Sequence, residues 1–204
     1  MGFIAGSVTY RKFRVMDELP KNFRERLQQG LQRYAFREID PKKNPESSIG
    51  WVNPLDPLDT DLSLEKLLFG SFVVLGVRVD RKSIPAALLK ARVSQGLREA
   101  MRERRVRKLS REEVYAVRQT VRETMLAAVP PTTALYEAVW NYEKGEVYLS
   151  THSSRFGVEF MDLFEVTTGL ALEEVTLLSR AEEIIESEGL SGDVTLLDEA
   201  RFGR

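Results

Sequence analysis

Two consecutive helical patterns in the middle of the chain constrain the fold most, because each begins with a strong local signal. In the first pattern Ser83 is a candidate N-cap, and Pro85 occupies the first turn, where a missing backbone N–H costs little. The second pattern begins with the sequence SREE, in which Ser110 and Glu113 form a capping box. The two patterns predict a helical hairpin that spans about residues 84 to 129.

Apolar residues recur at helical spacing in both halves of this hairpin. The recurring positions are Leu89, Val93, Leu97, Ala100 and Met101 in the first helix and Val114, Val117, Val121 and Met125 in the second. Such a stripe is typical of a helix that packs along one side and leaves the other side to solvent. We therefore expect two amphipathic helices, the first running to about Arg105 and the second stopping at Pro130 and Pro131.

Segments of β-type composition lie on both sides of the hairpin. The predicted strands are residues 3 to 15, residues 69 to 80 and a pair within residues 132 to 152 that turns at Gly145. The other predicted helices are residues 19 to 36 and a helix from Ser153 or Ser154 to Gly169. This order predicts an α+β fold with a mostly antiparallel sheet, packed helices and a protruding basic helical hairpin.

Charge is balanced over the whole chain but separated along it. The chain has 30 Lys and Arg against 31 Asp and Glu, a balance that points to no particular partner. Residues 80 to 123, however, hold thirteen basic against six acidic residues, and residues 159 to 204 hold three against twelve. We expect an α+β domain in residues 1 to 178 that includes the hairpin, followed by an acidic segment in residues 179 to 204.

The basic residues of the hairpin are candidates for contacting DNA. At about 100° per residue, Arg111, Arg118 and Arg122 fall within roughly 40° of one another on the second helix. The full candidate set is Lys90, Arg92, Arg98, Arg102, Arg104, Arg105, Arg107, Lys108, Arg111, Arg118 and Arg122. Repeated cations along one element suit a polyanion, because they release its counterions. The same pattern is also that of a solvated helix face, so charge alone leaves both interpretations open.

A short motif and the order of elements carry a family resemblance. The passage IGWVNPLD, with Gly50, Trp51, Val52 and Pro54, precedes the strand FVVLGVRVD, the charged helical pair, the passage AVPPTTALYEAVWNYEKGEVYLST and the helix FMDLFEVTTGL. Over about residues 3 to 177 the chain resembles the bacterial recombination-associated RdgC family. In that family a Gly-Trp-Val-x-Pro element precedes a strand, and a Lys/Arg-rich helical finger follows it.

The resemblance implies a fold and a function together. It implies a homodimeric, ring-like protein that encloses double-stranded DNA without strong sequence preference, opposes recombinase loading and uses no cofactor. It also places the basic finger residues along the DNA path and implies a cytoplasmic, nucleoid-associated protein. Members of the family continue well beyond residue 204, so we expect a short form in which ring closure is more in question than DNA binding.

Two other functions compete with this one. The first is a metal-dependent DNA exonuclease, for which Asp56, Asp59 and Asp61 would supply carboxylate ligands. We favour a turn at these residues instead, because Asp before Pro forms turns and Asp61 or Ser63 could cap a helix near Leu64. The second is a protein-interaction module, in which the acidic segment of one chain docks on the basic hairpin of another.

The remaining residue types exclude several classes of site. With no cysteine, the chain has no disulfide and no thiolate chemistry. We predict no catalytic residue, metal site, cofactor, small-molecule substrate or membrane partner. His152, the single histidine, and the two serines after it are interpreted as surface or capping residues. Trp140 is interpreted as a core residue, whereas Trp51 is open between the core and base stacking.

Overall fold

The computed structural model describes residue 3, residues 9 to 40 and residues 46 to 189. Seven strands are assigned in this part: β1 (Arg11–Val15), β2 (Ser47–Val52), β3 (Leu68–Phe69), β4 (Phe72–Arg81), β5 (Thr132–Asn141), β6 (Glu146–Leu149) and β7 (Leu172–Glu174). The helices there are α1 (Phe23–Arg33), α2 (Leu64–Leu67), α3 (Ala86–Glu103), α4 (Arg111–Ala128), α5 (Ser154–Thr168) and α6 (Leu177–Ser187). Residues 4 to 8 of the predicted first strand and residues 190 to 204 of the predicted acidic segment lie outside the described residues.

The strands form one sheet in the order β2-β4-β5-β6-β1-β7, with β3 paired to β4. Antiparallel pairing joins β1 to β6 and β7, β2 and β3 to β4, and β5 to β6. The predicted α+β fold with a mostly antiparallel sheet is therefore confirmed. Within the described ranges, no helix has both the length and the apolar composition that crossing a membrane requires.

The chain divides into two compact units. Unit 1 contains the described parts of residues 1 to 34, 62 to 75 and 136 to 204. Its core is aromatic: Phe13 of β1 packs against Phe160 of α5, and Trp140 of β5 packs edge-on against Phe164. These four rings are almost completely buried, which identifies Trp140 as the core residue predicted from the sequence.

Helix α1 lies against α5 in unit 1 at a glycine. A Cβ built on Gly30 would stand 1.9 Å from the carbonyl oxygen of Thr167, so no side chain fits at this crossing. From the sequence alone, Gly30 is expected only to lower the helix propensity of α1. In the structure, the absence of a side chain at Gly30 is what allows α1 to pack this closely against α5. Helix α5 is capped at its start by Ser153, whose hydroxyl accepts a hydrogen bond from Phe156 N–H at 3.2 Å, and at its end by Gly169, which has φ of 73°.

Unit 2 contains residues 35 to 61, where described, and residues 76 to 135. It includes β2, most of β4, both helices of the hairpin and the start of β5. Strand β2 lies outside the segments predicted as strands from the sequence. Ala35 forms an isolated parallel β-bridge with Trp51 of β2, and Phe36 N–H donates to the carbonyl of Trp51 at 2.8 Å.

Several predicted boundaries need correction. Strand β4 begins at Phe72, because the chain turns at Gly70, which has φ of 62° and separates the short strand β3. The N-cap of α3 is Pro85, with ψ of 127° and no capping side chain, so the prediction of Ser83 as the cap is wrong. Ile84 precedes Pro85, and a residue before proline is held in an extended conformation. The helix therefore begins after Pro85, at Ala86, instead of directly after Ser83.

Candidate nucleic-acid interface

Helices α3 and α4 pack against each other. Each has 18 residues and is therefore about 27 Å long. At Gly96 of α3, an added Cβ would lie 3.2 Å from methyl groups of Val117 and Val121 of α4. A glycine at this position leaves room for the facing valine side chains, and we name the contact between the apolar stripes of the two helices the seam.

The seam buries little of either helix. No residue of α3 is fully buried, and Leu126 is the buried residue of α4. Among the described residues, α4 is the only element against which α3 packs extensively. The apolar stripes predicted from the sequence are present but half-buried, so the polar sides of both helices remain accessible within unit 2.

Two polar contacts hold α4 at the end of the hairpin near the sheet. Lys82, just after β4, donates from Nζ to the carbonyl of Leu126 at 2.8 Å. That carbonyl belongs to the last turn of α4, where a cation also complements the helix dipole. Arg122 Nε lies 3.1 Å from Glu46 Oε1. Basic residues at this end therefore fix the position of the helix.

The apex of the hairpin is a Schellman motif that ends α3. Val106 N–H donates to the carbonyl of Met101 at 3.0 Å, and Arg105 N–H donates to that of Arg102 at 3.2 Å. Arg105 itself is in the left-handed region, with φ of 55°. This pair of hydrogen bonds satisfies carbonyls that the helix end would otherwise leave unpaired. The polypeptide therefore reverses direction in a defined conformation.

The predicted capping box at the start of α4 is confirmed. Glu113 N–H donates to the Ser110 hydroxyl at 3.2 Å, and Ser110 N–H donates to the Glu113 carboxylate at 2.7 Å. Glu113 also forms an ion pair with Arg104, which ends α3. The backbone N–H and side chain of Ser110, followed by the charge of Arg104, lower the pKa of Glu113. One carboxylate thus connects the end of α3 to the start of α4.

All eleven candidate basic residues are exposed, as a DNA interface requires. Three of them have partners: Arg104 pairs with Glu113, Arg122 with Glu46, and Arg92 donates to Gln95 Oε1 at 3.3 Å. The other eight, which we name the free cations, make no side-chain hydrogen bond or ion pair within the described residues. They are Lys90, Arg98, Arg102, Arg105, Arg107, Lys108, Arg111 and Arg118.

The two grooves that flank the seam differ in charge. Arg118 and Arg122, predicted to share one side of α4, line the same groove together with Lys90. Leu89, Val93 and Leu97 of α3 form its apolar floor, and it has no carboxylate in its lining. The opposite groove is lined by Arg92 and Glu99, whose charges offset each other. One side of the hairpin is therefore the more positive.

A comparison with protein families decides the family. The model of the family described as "Putative exonuclease, RdgC" matches residues 10 to 186. The chain belongs to the RdgC family. A comparison with curated proteins found no match. Membership confirms the resemblance seen in the sequence and supports a broad role connected with recombination and the nucleoid.

The motif that carried the RdgC resemblance has a packing role in the structure. A Cβ on Gly50 would stand 2.5 Å from Cα of Phe36, so the glycine admits the neighbouring backbone. Trp51 is 0% exposed, which makes it a core residue and leaves it no face for base stacking. Pro54 lies against Gly76 of β4. In this RdgC-family chain the motif packs the edge strand β2 against its neighbours.

The aspartates considered for metal binding occupy successive turns. Asp56 accepts from Leu58 N–H at 3.0 Å, and Asp59 accepts from Asp61 N–H at 2.8 Å. The turn interpretation of this segment is therefore confirmed. Within the described ranges, no group of three or more acidic or histidine side chains is placed to hold a metal ion. The helix that follows starts at Leu64, whose N–H donates to Gln28 rather than to a capping Asp61 or Ser63.

One buried ionic network in unit 2 is not among the sites predicted from the sequence. Asp80 of β4 is 2% exposed and accepts two hydrogen bonds from Arg78, at 2.9 and 2.8 Å, and one from Thr133 at 2.8 Å. The Arg78 guanidinium stacks on Phe36. Burial acts to raise the pKa of Asp80, but these hydrogen bonds and the Arg78 charge outweigh it and lower that pKa. A charge near a strand end was the only signal for this network in the sequence.

Proposed function

We propose that this chain binds double-stranded DNA without strong sequence preference, through the basic side of the α3–α4 hairpin. The observation that carries the proposal is the set of eight free cations, all exposed on one helical hairpin. Bound as a homodimer, the protein would coat or enclose DNA and so modulate recombination or replication. Binding of this kind needs neither a cofactor nor a catalytic group.

The dimensions and charges of the hairpin suit a duplex. Over the roughly 27 Å length of the hairpin, duplex DNA presents on the order of sixteen phosphates. Seven arginines and lysines of the free-cation set lie between Arg98 and Arg118, and guanidinium groups match the geometry of phosphate oxygens. Since the contacts are to phosphates, the proposed interaction reads little base sequence.

Salt-dependent binding tests this proposal. The anisotropy of a fluorescent 30-base-pair duplex and of a single strand would be titrated with protein between about 50 and 300 mM salt. A variant with Arg102, Arg105, Arg107 and Lys108 changed to Gln should lower the slope of log K against log salt by roughly 3 to 4 units. The matched control changes four exposed basic residues of unit 1, Lys21, Arg33, Lys144 and Arg155, to Gln.

The outcomes separate the interpretations. We expect wild-type protein and the control to bind the duplex with the same slope, and the hairpin variant to bind weakly. Absence of binding by wild-type protein at low salt would overturn the proposal. Equal slopes for the control and hairpin variants would show that the hairpin is a solvated face and that DNA binds elsewhere.

A non-enzymatic role is part of the proposal. The family description names an exonuclease, whereas Asp56 and Asp59 are engaged in turns. We expect end-labelled linear DNA to remain intact during incubation with Mg²⁺ or Mn²⁺, and EDTA to leave the affinity of binding unchanged. Metal-dependent shortening of the DNA that is lost in Asp59→Asn would establish the nuclease instead.

A further inference from the structure

One basic residue of the hairpin is in a backbone conformation that its side chain disfavours. Among the described residues, Arg105 is the only non-glycine residue with positive φ, at 55°. The other positive-φ positions there are Gly70, Gly145, Gly169 and Gly189. Residues with a Cβ are disfavoured in this region, and helix ends of this kind usually carry glycine at the same position.

The Arg105 side chain makes no contact that explains its presence there. It is exposed and has no hydrogen bond or ion pair with another side chain in the described ranges. For the fold alone, glycine would serve the Schellman motif better. Strain that the local structure does not require is a reason to look for a function of the side chain.

The backbone around Arg105 is held firmly. The two Schellman hydrogen bonds fix its peptide groups, and Leu109, a few residues later, is 7% exposed. Arg104 then joins α3 to α4 through Glu113, which also completes the capping box. The Cα–Cβ direction of Arg105 is therefore set in advance, and less conformational freedom is lost when its guanidinium binds a ligand.

We propose that Arg105 is the phosphate-contacting residue at the hairpin apex and that its neighbour Arg104 is a positioning residue. This inference rests on the proposed DNA-binding function. Arg105 extends from the apex and donates to phosphodiester oxygens of the duplex, independent of base sequence. Arg104 keeps the apex in shape by its ion pair with Glu113 and makes no contact with DNA. Adjacent arginines thus have different roles.

The substitution Arg105→Gly separates stability from binding. Because glycine relieves the left-handed strain, we expect thermal unfolding at an unchanged Tm or at one up to about 4 °C higher. Loss of one phosphate contact should weaken duplex binding roughly 3- to 10-fold and lower the salt slope by about 1. Arg105→Lys, which keeps the charge, should retain the slope. Lys21→Ala, which removes an exposed cation of unit 1, is the control and should leave both quantities unchanged.

The role of Arg104 is tested in combination with its partner. Glu113→Gln keeps the capping box, since Gln can replace Glu in it, but removes the charge that Arg104 faces. We expect Arg104→Gln to lower Tm by a few degrees in the wild-type protein and to have little further effect, on Tm or salt slope, once Glu113→Gln is present. A slope that still falls by about 1 in the Glu113→Gln background would make Arg104 a direct phosphate contact and overturn its positioning role.

Failure of this inference differs from failure of the proposed function. If wild-type protein does not bind duplex DNA at low salt, the proposed function is wrong. If wild-type protein binds and Arg105→Gly binds with the same affinity and slope, only the role of Arg105 is wrong. A Tm of Arg105→Gly that falls by several degrees would show that the side chain stabilises the fold, and would also overturn the inference.

Discussion

At the residue scale, ion pairing determines what each charged side chain can do. Arg104 and Arg122 are exposed yet face carboxylates, and so contribute to the shape of the hairpin. Arg102 and Arg107 have no such partner in the described ranges and keep their full charge available to a ligand. In the sequence these four arginines are equivalent, because partners such as Glu46 are remote in the chain.

Asp80 should contribute more to stability than any single surface charge. Replacing it with Ala leaves Arg78 and Thr133 without their acceptor in a buried site, which should lower the free energy of unfolding by about 2 to 4 kcal/mol. Thr133→Val, which removes one hydrogen bond, should lower it by about 1 kcal/mol. Urea denaturation at pH 7 measures both changes. Equal stability of wild type and Asp80→Ala would contradict the network.

The pH dependence of this contribution has a definite sign. The pKa of Asp80 is lower in the folded protein than in the unfolded chain, so its stabilisation is complete above the ordinary pKa of about 3.9. It is lost as the pH falls through the folded-state pKa, where the carboxylate becomes protonated. The stability difference between wild type and Asp80→Asn should therefore shrink as the pH falls from 5 towards 2, and a constant difference would contradict this sign.

At the element scale, two helical glycines that look alike in the sequence differ in their surroundings. A Cβ on Gly30 meets the backbone of Thr167 at 1.9 Å, whereas a Cβ on Gly96 meets side-chain methyls at 3.2 Å. Gly30→Ala should force α1 from α5 and lower stability by about 3 kcal/mol or more. Gly96→Ala should change stability by less than about 1 kcal/mol, since helix propensity offsets the tighter contact. Thermal unfolding of the two variants distinguishes these outcomes.

The hairpin was predictable from the sequence, and the sheet edges were less so. Ser110 and Glu113 are three residues apart, and a capping box depends only on residues within one turn, so the start of α4 follows directly from the sequence. The split between β3 and β4 depends on a turn at Gly70 that composition does not reveal. The burial of Trp51 and Asp80 depends on Phe36 and Thr133, which come from other parts of the chain.

At the scale of the whole molecule, charge separation matters more than net charge. A formal charge of -1 would suggest no affinity for DNA. Salt at physiological strength, however, screens exposed charges beyond about 8 Å, so a duplex responds to the cations close to it. This is why the basic hairpin supports a DNA-binding proposal in an otherwise acidic protein.

The acidic C-terminal segment should slow association with DNA by long-range repulsion only. Helix α6 has no buried residue and is joined to β1 by the Arg14–Glu183 ion pair, so we expect the fold to tolerate removal of residues 179 to 204. At about 20 mM salt we expect stopped-flow association with duplex DNA to become several-fold faster, because steering by charge acts on the association rate. At about 300 mM salt the difference should vanish.

The same truncation tests whether the acidic segment docks on the basic hairpin of another copy. A docked segment would occlude the free cations, so its removal would raise the equilibrium affinity for DNA at every salt concentration and would lower the number of chains per particle that light scattering gives. Repulsion alone changes the rate at low salt and leaves the number of chains per particle unchanged. Because screening removes only the long-range effect, the measurement at about 300 mM salt distinguishes the two mechanisms.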